Sequence, residues 1–598
     1  MLKTSSIYSA FNARWLSPED VARAFVPTSH FETLVRFQNS ILMGPRGCGK
    51  TTLLKMLTRR AQKVWKNERI PFDRDLSMYR SPDFEAIYVP SDVRWSQELK
   101  SVLLHLPTES TLAEQIQRVE VSISAVTEAL TIFQLVLDDA NQNPEAFLKA
   151  FIDHFSLGRT IPSFSQIRLR LASYGEEVRS AIVAKDLGHI RSVVQRISPV
   201  FSGYSLDAVR KACDIFQEFV PTGLMPSRWA LCFDEIEIAP RWLQQELLKA
   251  FRSFDQKFLL KITWSPVLPD DLLKDEQDQQ DFATIPMWHA LASDARPFCK
   301  TFTARFISDR LGSDLKPRQV FGPSPFSQEE GDSYEAGSVI WSAMVSLAKK
   351  DASFREYLVK HGFDPQDPVT ESVKKRDETL RKIKPIVLVR EANLSETSGR
   401  FGLRRTRKLQ PLYHGEEVIY FMSEGNPRLL AGLLNDLFDA EQPPHLQAKK
   451  QVRPEIQARV LTAASDRTRT AFESYPVQKS ETALSLRDLI NRLGNFLSNE
   501  LISSSFDSDP IGSFIVDEAV DDRTLETVSV GLLVGAFVQI GASGITTVRG
   551  SRIRLTHMVA PSYELLFRNM RQIRLSTILK IPARYQRLQF GLYPNETR

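Results

Sequence analysis

Short apolar runs and longer amphipathic stretches alternate along the first half of this 598-residue chain. Four runs are short, apolar and flanked by polar residues, which predicts buried strands: 40–43, 83–92, 228–235 and 258–265. Between them, leucines recur on one face of 51–60, which predicts a helix. Strands that alternate with helices predict an α/β fold with a parallel sheet.

Helical spacing dominates two further regions. Residues 99–227 predict a helical insertion, since apolar side chains recur every four residues at Phe147, Phe151 and Phe155. Residues 327–475 predict a helical lid that contains a basic insertion. The nucleotide-binding core is therefore expected from two pieces of the chain, 1–98 and 228–326.

The C-terminal region predicts a small mixed domain, 476–567, followed by a basic tail, 568–598. Its elements suggest a winged-helix-like fold. They are a helix that begins after Ser485, a strand at 514–516, a helix at 525–540, and a hairpin that pairs 545–548 with 552–555.

Composition and apolar stretches indicate the cellular compartment in which the protein is expected. Apolar residues make up 42% and charged residues 25%, which is usual for a globular protein. The apolar stretch 528–540 is too short to cross a bilayer, so no membrane association is expected. The first 26 residues lack a basic segment followed by an apolar run, and the four cysteines form no paired motif. A cytoplasmic protein is expected.

Positive charge is concentrated, although the whole chain carries only +5. Residues 373–408 contain twelve Lys or Arg against four Asp or Glu, and the tail adds a further +6. Clustered cations are typical of phosphate-backbone binding, so DNA is expected at 373–408, at the 549–554 hairpin and at the tail. A solvated loop, an internal acidic contact and a protein partner remain alternatives. The helix 525–540 has one charged residue, Glu526, which argues against reading of base sequence.

A glycine-rich motif joins strand 40–43 to helix 51–60. It reads Gly44-Pro45-Arg46-Gly47-Cys48-Gly49-Lys50-Thr51-Thr52, a P-loop in its required strand–loop–helix context. Successive N–H groups of such a loop surround phosphate oxygens at the helix N-terminus. Lys50 is expected to neutralise the β- and γ-phosphates, and Thr51 to hold magnesium. The sequence therefore predicts an ATP site with Mg²⁺.

Two acids end the apolar strand 228–235. Asp234 is predicted to hold magnesium, directly or through water, and Glu235 to polarise the attacking water. Together with the P-loop, they predict an ATPase.

With these motifs, the sequence resembles the AAA+ ATPases of the origin-recognition and replication-initiator type. The likeness rests on Asp234–Glu235 and on three other segments, and covers roughly 17–55, 228–326 and 413–440. The three segments are Phe25-Val26-Pro27 with His30-Phe31, a helix at 298–311 that leads to a short strand at 319–321, and Gly425-Asn426-Pro427-Arg428.

The resemblance implies roles for several residues. The 25–31 segment would pack on adenine, and Arg428 would be the second sensor in the lid. Arg310, at the end of its helix, would reach the ATP of a neighbouring subunit, which implies a homo-oligomer. A hydroxyl on strand 258–265 would sense the γ-phosphate; Thr263 and Ser265 both qualify, and Ser265 is taken as the candidate.

The chain departs from that family in its spacing, because about 180 residues separate the P-loop from Asp234. The two insertions favour a specialised bacterial relative and leave two functions open. One is an oligomeric ATP-dependent switch that binds DNA. The other is a signalling or anti-phage-defence NTPase whose helical insertion senses a protein partner without nucleic acid.

Overall fold

The computed structural model describes residues 13–581 with internal gaps. The gaps are 68–80, 93–94, 96–109, 185–186, 202–204, 225, 227, 254–256, 268–281, 290–291, 313, 328–335, 369–375, 398–399, 404–411, 442–450, 476–483, 503–504 and 542–546. The described chain forms two compact units. The sheet unit comprises Ala13–Gly44 and Lys50–Met287, and the C-terminal unit comprises Pro45–Gly49 and the chain from Trp288 onward.

The sheet unit contains five strands and ten described helices. Its strands are β1 (Ser40–Met43), β2 (Glu85–Pro90), β3 (Trp229–Asp234), β4 (Phe258–Trp264) and β5 (Ala283–Pro286). Its helices are α1 (Pro18–Ala24), α2 (Ser29–Leu34), α3 (Lys50–Met56), α4 (Arg59–Asn67), α5 (Ser110–Asp139), α6 (Glu145–His154), α7 (Phe164–Val183), α8 (Leu187–Phe201), α9 (Ser205–Phe219) and α10 (Arg241–Ser253).

The strands form one parallel sheet in the order β2-β3-β4-β1-β5. Every residue of β1, β3 and β4 is buried, as expected for a parallel sheet covered on both faces. The four predicted strands and the α/β fold class are confirmed; β5 was not predicted. Parallel strands bring their carboxyl ends to one edge, where ligands of such sheets bind. The motifs that follow β1 and β3 therefore share that edge.

The described residues of 99–227, where a helical insertion is predicted, form the helices α5–α9. Phe147, Phe151 and Phe155 are all buried. Phe133 of α5 stacks on Phe216 of α9 with ring centroids 4.3 Å apart. Both rings also contact Trp229 at the start of β3, at 5.4 and 5.9 Å. Since each such ring pair adds about 0.5–1.5 kcal/mol beyond its burial, this cluster fixes the insertion on the sheet.

Within the described residues, one helical segment, Leu112–Asp139 of α5, is long and apolar enough to cross a bilayer. Its length and apolar character were not predicted. Much of it is buried inside the protein, where α5 packs against α7, α8, α9 and β2. That environment is typical of the core helix of a globular domain.

The C-terminal unit is mainly helical. Its described helices are α11 (Ala292–Leu311), α12 (Pro317–Phe321), α13 (Val339–Lys350), α14 (Ala352–Lys360), α15 (Arg376–Asn393), α16 (Glu416–Ser423), α17 (Pro427–Ala440), α18 (Pro454–Glu473), α19 (Leu486–Ile502), α20 (Asp522–Val534), α21 (Ala560–Tyr563) and α22 (Leu575–Lys580). Residues 288–326, which the sequence assigned to the nucleotide-binding core, group with this unit.

Two small sheets belong to the same unit. β6 (Leu394–Thr397) and β7 (Arg400–Leu403) pair inside the basic segment 373–408. β8 (Ile511–Ile515), β9 (Phe537–Ile540), β10 (Arg552–Leu555) and β11 (Arg571–Arg574) form a mixed sheet in the order β11-β8-β10-β9. Because β11 pairs with β8 and α22 follows it, this domain extends past the predicted boundary at 567. The rest of the predicted tail, 582–598, lies outside the described residues.

Two local predictions in the C-terminal unit are wrong. The segment 319–321 is helical, because Pro317 occupies the first turn of α12 and the Gln319 side chain accepts the Lys316 N–H at 2.8 Å. The helix predicted at 525–540 ends at Val534. Gly535 terminates it at φ +83°, and the following residues form β9. β10 pairs antiparallel with β9 on one side and with β8 on the other.

Candidate nucleotide-binding site

The P-loop has the backbone that its glycines predict. Gly47 and Gly49 adopt φ of +84° and +98°, which side chains beyond glycine rarely allow. Among the described residues, the N–H groups of both glycines have no protein acceptor. A loop at the start of a helix with N–H groups that lack a protein acceptor is suited to bind phosphate oxygens. The loop therefore fits a phosphate group of a nucleotide.

Lys50, Thr51 and Thr52 open α3, directly after the loop. The buried Lys50 ammonium donates to the Gly44 carbonyl. Burial raises the pKa of Glu237, and the positive charge of Lys50 partly opposes that rise. The Lys50 ammonium therefore lies near the acids that follow β3. Within the described part of the chain, the hydroxyls of Thr51 and Thr52 have no partner. The Thr51 hydroxyl is thus available to a magnesium ion.

Asp234 ends β3 and is only 3% exposed. Its Oδ1 accepts the Thr263 hydroxyl at 2.7 Å, and its Oδ2 accepts the Tyr88 hydroxyl at 2.8 Å. Burial, and next the Asp234 charge, raise the pKa of Tyr88, so that hydroxyl remains protonated and donates. The two donated hydrogen bonds fix the orientation of the Asp234 carboxylate, whose oxygens are of the kind that magnesium binds.

Glu235 follows in a left-handed conformation with φ +54°, which is uncommon for a residue with a side chain. Its N–H donates to the Thr263 hydroxyl at 2.7 Å. One hydroxyl on β4 thus orders both acids after β3. Backbone strain of this kind is found at functional sites, where neighbouring contacts maintain it.

The two candidates for the γ-phosphate sensor differ in their contacts. Thr263 is fully buried and contacts Asp234 and Glu235, as described above. Ser265, the candidate favoured from the sequence, instead donates its hydroxyl to the Val267 carbonyl at 2.8 Å. The structure thus brings Thr263 to the acid pair, and the sensor role of Ser265 stays a prediction.

In the C-terminal unit, the Gly425–Arg428 segment meets the loop residues Pro45–Gly49. The Asn426 amide donates to the Arg46 carbonyl at 3.2 Å, and its Oδ1 caps α17 by accepting the Arg428 N–H at 3.1 Å. A side chain at Gly47 would lie 3.0 Å from Arg428 Cβ, so Arg428 covers this glycine. The structure therefore brings the predicted second sensor to the loop.

Two further contacts hold the loop. The Arg46 N–H donates to the Leu533 carbonyl at the end of α20 at 3.1 Å, and the Arg46 guanidinium lies 5.4 Å from the centre of the Tyr475 ring. Cys48 is buried and its N–H faces the Pro45 carbonyl at 3.5 Å. The backbone N–H groups of Arg46 and Cys48 and the Arg46 side chain thus hold the loop in place.

Arg310 lies in the last turn of α11, as predicted. It forms an ion pair with Asp439 at 2.9 Å, with side chains 35% and 67% exposed. An exposed pair of this kind contributes only about 0–1 kcal/mol, so it exchanges readily for another partner. The role of Arg310 at a neighbouring subunit stays a prediction.

The aromatic rings of the 25–31 segment serve the core. Phe25 and Phe31 are both 3% exposed and meet edge to face at 5.0 Å, while Phe25 also contacts Trp65 at 5.1 Å. Neither ring is exposed to stack on a base.

The three arginines of the basic hairpin predicted at 549–554 all bond to other parts of the protein. Arg549 bonds to the carbonyls of Glu518 and Val520, and Arg552 to the Met570 carbonyl. Arg554 is 2% exposed and pairs with Glu424. The expectation of an outward basic position is therefore wrong for Arg554, because a buried guanidinium needs internal acceptors. Arg549 and Arg552 are partly exposed but also bond within the protein.

Part of the 373–408 segment is also internal. Arg390 is 3% exposed and pairs with Asp351, and Lys384 donates to the Ser327 carbonyl at 3.0 Å. Residues 404–408, the densest part of the cluster, lie outside the described residues.

Comparison of the sequence with protein families gives a match across most of the chain. A family model described as ORC-CDC6-like matches residues 6–575. The chain belongs to the ORC-CDC6-like family. This membership confirms the resemblance to origin-recognition AAA+ ATPases, and the parallel five-stranded sheet fits the AAA+ α/β fold. A search of curated proteins returned no match.

The structure adds two residues that the sequence did not identify, Tyr88 and Arg14. Tyr88 reaches Asp234 because β2 lies beside β3, and Arg14 forms an ion pair with Glu235 at 3.0 Å. No local pattern marks either residue, since both contacts depend on strand order and chain packing.

Proposed function

We propose that this ORC-CDC6-like protein binds ATP with magnesium at Gly44–Thr52 and hydrolyses it. The main support for the proposal is the pair Asp234–Glu235, which Thr263 holds in place through two hydrogen bonds. The pair lies at the carboxyl-terminal edge of the sheet, and the P-loop follows β1 at the same edge. Family membership supports NTPase activity in general. Lys50 would neutralise phosphate charge, and Glu235 would polarise the attacking water.

The acids fit a magnesium ion. Thr51 and Asp234 would hold it, because Thr51 offers a hydroxyl that bonds to no described residue and Asp234 a buried, doubly hydrogen-bonded carboxylate. Bound magnesium would neutralise the phosphate charge that develops during transfer. Among the described residues, no cluster of three or more His, Cys, Asp or Glu forms another metal site.

Removal of the Asp234 charge tests this assignment. Asp234→Asn should lower phosphate release from ATP by about 10²-fold at about 1 mM Mg²⁺, in line with the loss of a metal ligand. Phosphate release is measured across a magnesium titration, with Asp522→Asn as the control for the same change at a carboxylate that is 96% exposed and pairs with Arg549. An unaltered magnesium dependence in Asp234→Asn would contradict the assignment.

Oligomerisation and DNA binding belong to the same proposal. Arg310 would act on a neighbouring subunit's ATP, and Arg428 would couple the lid to the loop it contacts. The mixed sheet β8–β11 with α19 and α20 would form the winged-helix-like domain. Arginines 549, 552 and 554 of this domain bond within the protein. Residues 404–408 and the C-terminal residues would therefore make the DNA contacts. The protein would be cytoplasmic.

The DNA proposal predicts a salt dependence. Replacing Arg404, Arg405 and Arg407 together by alanine should weaken binding of duplex DNA and flatten the slope of log affinity against log salt by about 0.9 for each phosphate that is no longer neutralised. Fluorescence anisotropy across a salt series measures both quantities. The control is Arg487→Ala, since Arg487 is 69% exposed outside this segment. Unchanged affinity and slope in the triple variant would exclude 404–408 as the DNA surface.

One observation favours the alternative of a signalling or defence NTPase. The insertion exposes three large apolar side chains on and just before α7: Ile161, Leu169 and Val183, exposed by 67%, 63% and 79%. Contiguous exposed apolar patches mark protein-binding surfaces, and these side chains would contribute to such a patch. If the wild type shows no salt-sensitive DNA binding with or without ATP, the protein-partner function is favoured.

A further inference from the structure

Arg14 is the one side chain, among the residues that the structure describes, that bonds to the Glu235 carboxylate. Its Nη1 lies 3.0 Å from Oε2 of Glu235, and its Nη2 donates to the Ser91 carbonyl at 3.3 Å. Oε1 of Glu235 has no protein partner in the described part of the chain. One carboxylate oxygen is therefore fixed and the other is open.

The opposite end of Glu235 is fixed as well. Its N–H donates to the Thr263 hydroxyl, which also bonds to Asp234. With the backbone held by β4 and Oε2 held by Arg14, the side chain retains little freedom to turn. An open oxygen on a restrained carboxylate is suited to accept a proton from an ordered water.

Arg14 is itself anchored to the P-loop helix. Lys55 lies on α3, five residues after Lys50, and is 6% exposed. Its ammonium donates to the carbonyls of Ala13, Arg14 and Leu16 at 2.7, 3.3 and 2.8 Å. The chain that carries Arg14 is thus attached to the helix that begins at the phosphate-binding loop.

We propose that Arg14 is a positioning residue for Glu235: it holds Oε2 so that Oε1 faces the attacking water. This inference rests on the proposed hydrolysis of ATP by Glu235. The alternative role of the same ion pair, that it restrains Glu235 and slows hydrolysis, predicts the opposite sign. Because both ends of Glu235 are held while Oε1 stays open, the geometry points to orientation.

The test compares Arg14→Gln with wild type in steady-state ATP turnover and in equilibrium ATP binding. A misplaced base lowers kcat, so Arg14→Gln should reduce kcat by roughly 10- to 100-fold and leave the Kd for ATP within about twofold. Arg14→Lys, which keeps the charge, should recover part of kcat. Arg23→Gln is the matched control, since Arg23 is similarly exposed and pairs with Asp20.

A double variant separates positioning from a structural role. If Arg14 acts through Glu235, Arg14→Gln with Glu235→Gln should be no slower than Glu235→Gln alone. Melting temperatures verify folding, which the 42% exposure of the Arg14 side chain favours. Fully multiplicative losses, an unchanged kcat, or a raised kcat in Arg14→Gln would each overturn the inference.

The hydrolytic role of Glu235 and the positioning role of Arg14 can be contradicted separately. If Glu235→Gln turns over ATP at the wild-type rate, the hydrolytic role of Glu235 fails and the inference fails with it. If Glu235→Gln is slow while Arg14→Gln matches wild type, ATP hydrolysis by Glu235 stands and only the positioning role of Arg14 is wrong.

Discussion

Replacing Glu235 by glutamine should leave ATP binding intact and slow its hydrolysis by roughly 10²-fold or more. Glutamine keeps the size of the side chain and removes the basic oxygen that polarises water. The backbone bond from residue 235 to Thr263 remains, so the acid pair keeps its position. Phosphate release and ATP affinity, measured on the same preparation, check the result.

The control for this variant is Glu19→Gln, the same chemical change at a carboxylate on α1 that pairs with Arg60 at 4.0 Å. It should turn over ATP at the wild-type rate. Wild-type turnover by Glu235→Gln would show that another group activates the water, and a reduced affinity for ATP would show that Glu235 serves binding.

Lys50→Ala should abolish ATP binding at millimolar nucleotide. The ammonium is the cation that the P-loop places on the β- and γ-phosphates, and alanine supplies no charge in its place. A ligand that binds only the native state stabilises it by about 2.7 kcal/mol when its concentration is about 100 times Kd. This stabilisation raises the melting temperature. ATP with magnesium should therefore raise the melting temperature of the wild type and leave that of Lys50→Ala unchanged.

Lys63→Ala is the matched control for Lys50→Ala, because Lys63 is 60% exposed on α4 and pairs with Asp139 at 2.7 Å. It should retain the full ATP-dependent rise in melting temperature. A rise of wild-type size in Lys50→Ala would place ATP outside the P-loop.

The sheet and the P-loop were predictable because their signals are local. An apolar run of about four to eight residues is sufficient to indicate a buried strand, and the glycines of 44–49 specify the loop that follows β1. Asp234 and Glu235 were found for the same reason, since they end such a run. Each of these predictions needed only residues that are neighbours in the chain.

The contacts that order the acids were not predictable in this way. Tyr88 and Thr263 reach Asp234 from β2 and β4, and only the strand order β2-β3-β4 brings them together. Arg14 meets Glu235 across 221 residues of sequence. Local periodicity carries no information about such distant pairs.

Charge counting misjudged the C-terminal hairpin. Arg554 contributes to a basic cluster in the sequence, but Glu424, 130 residues away, neutralises it inside the fold. Arg390 is likewise paired with Asp351. A cluster of cations therefore indicates a nucleic-acid surface only after their internal partners are known.

One secondary-structure error had a local signal. Gly535 is followed by Ala-Phe-Val-Gln-Ile, so a helix stop precedes a short apolar run. Treating that glycine as the end of α20 would have placed β9, a neighbour of β10, correctly.

The most direct test of ATP hydrolysis at the P-loop identifies the nucleotide that stays on the protein. Wild type, Glu235→Gln and Lys50→Ala are each incubated with labelled ATP and magnesium, passed rapidly through a desalting column, quenched in acid and separated by chromatography. We expect ADP on or released from the wild type, intact ATP on Glu235→Gln, and no retained nucleotide on Lys50→Ala. Equal retention of ATP by all three proteins would contradict hydrolysis at this site.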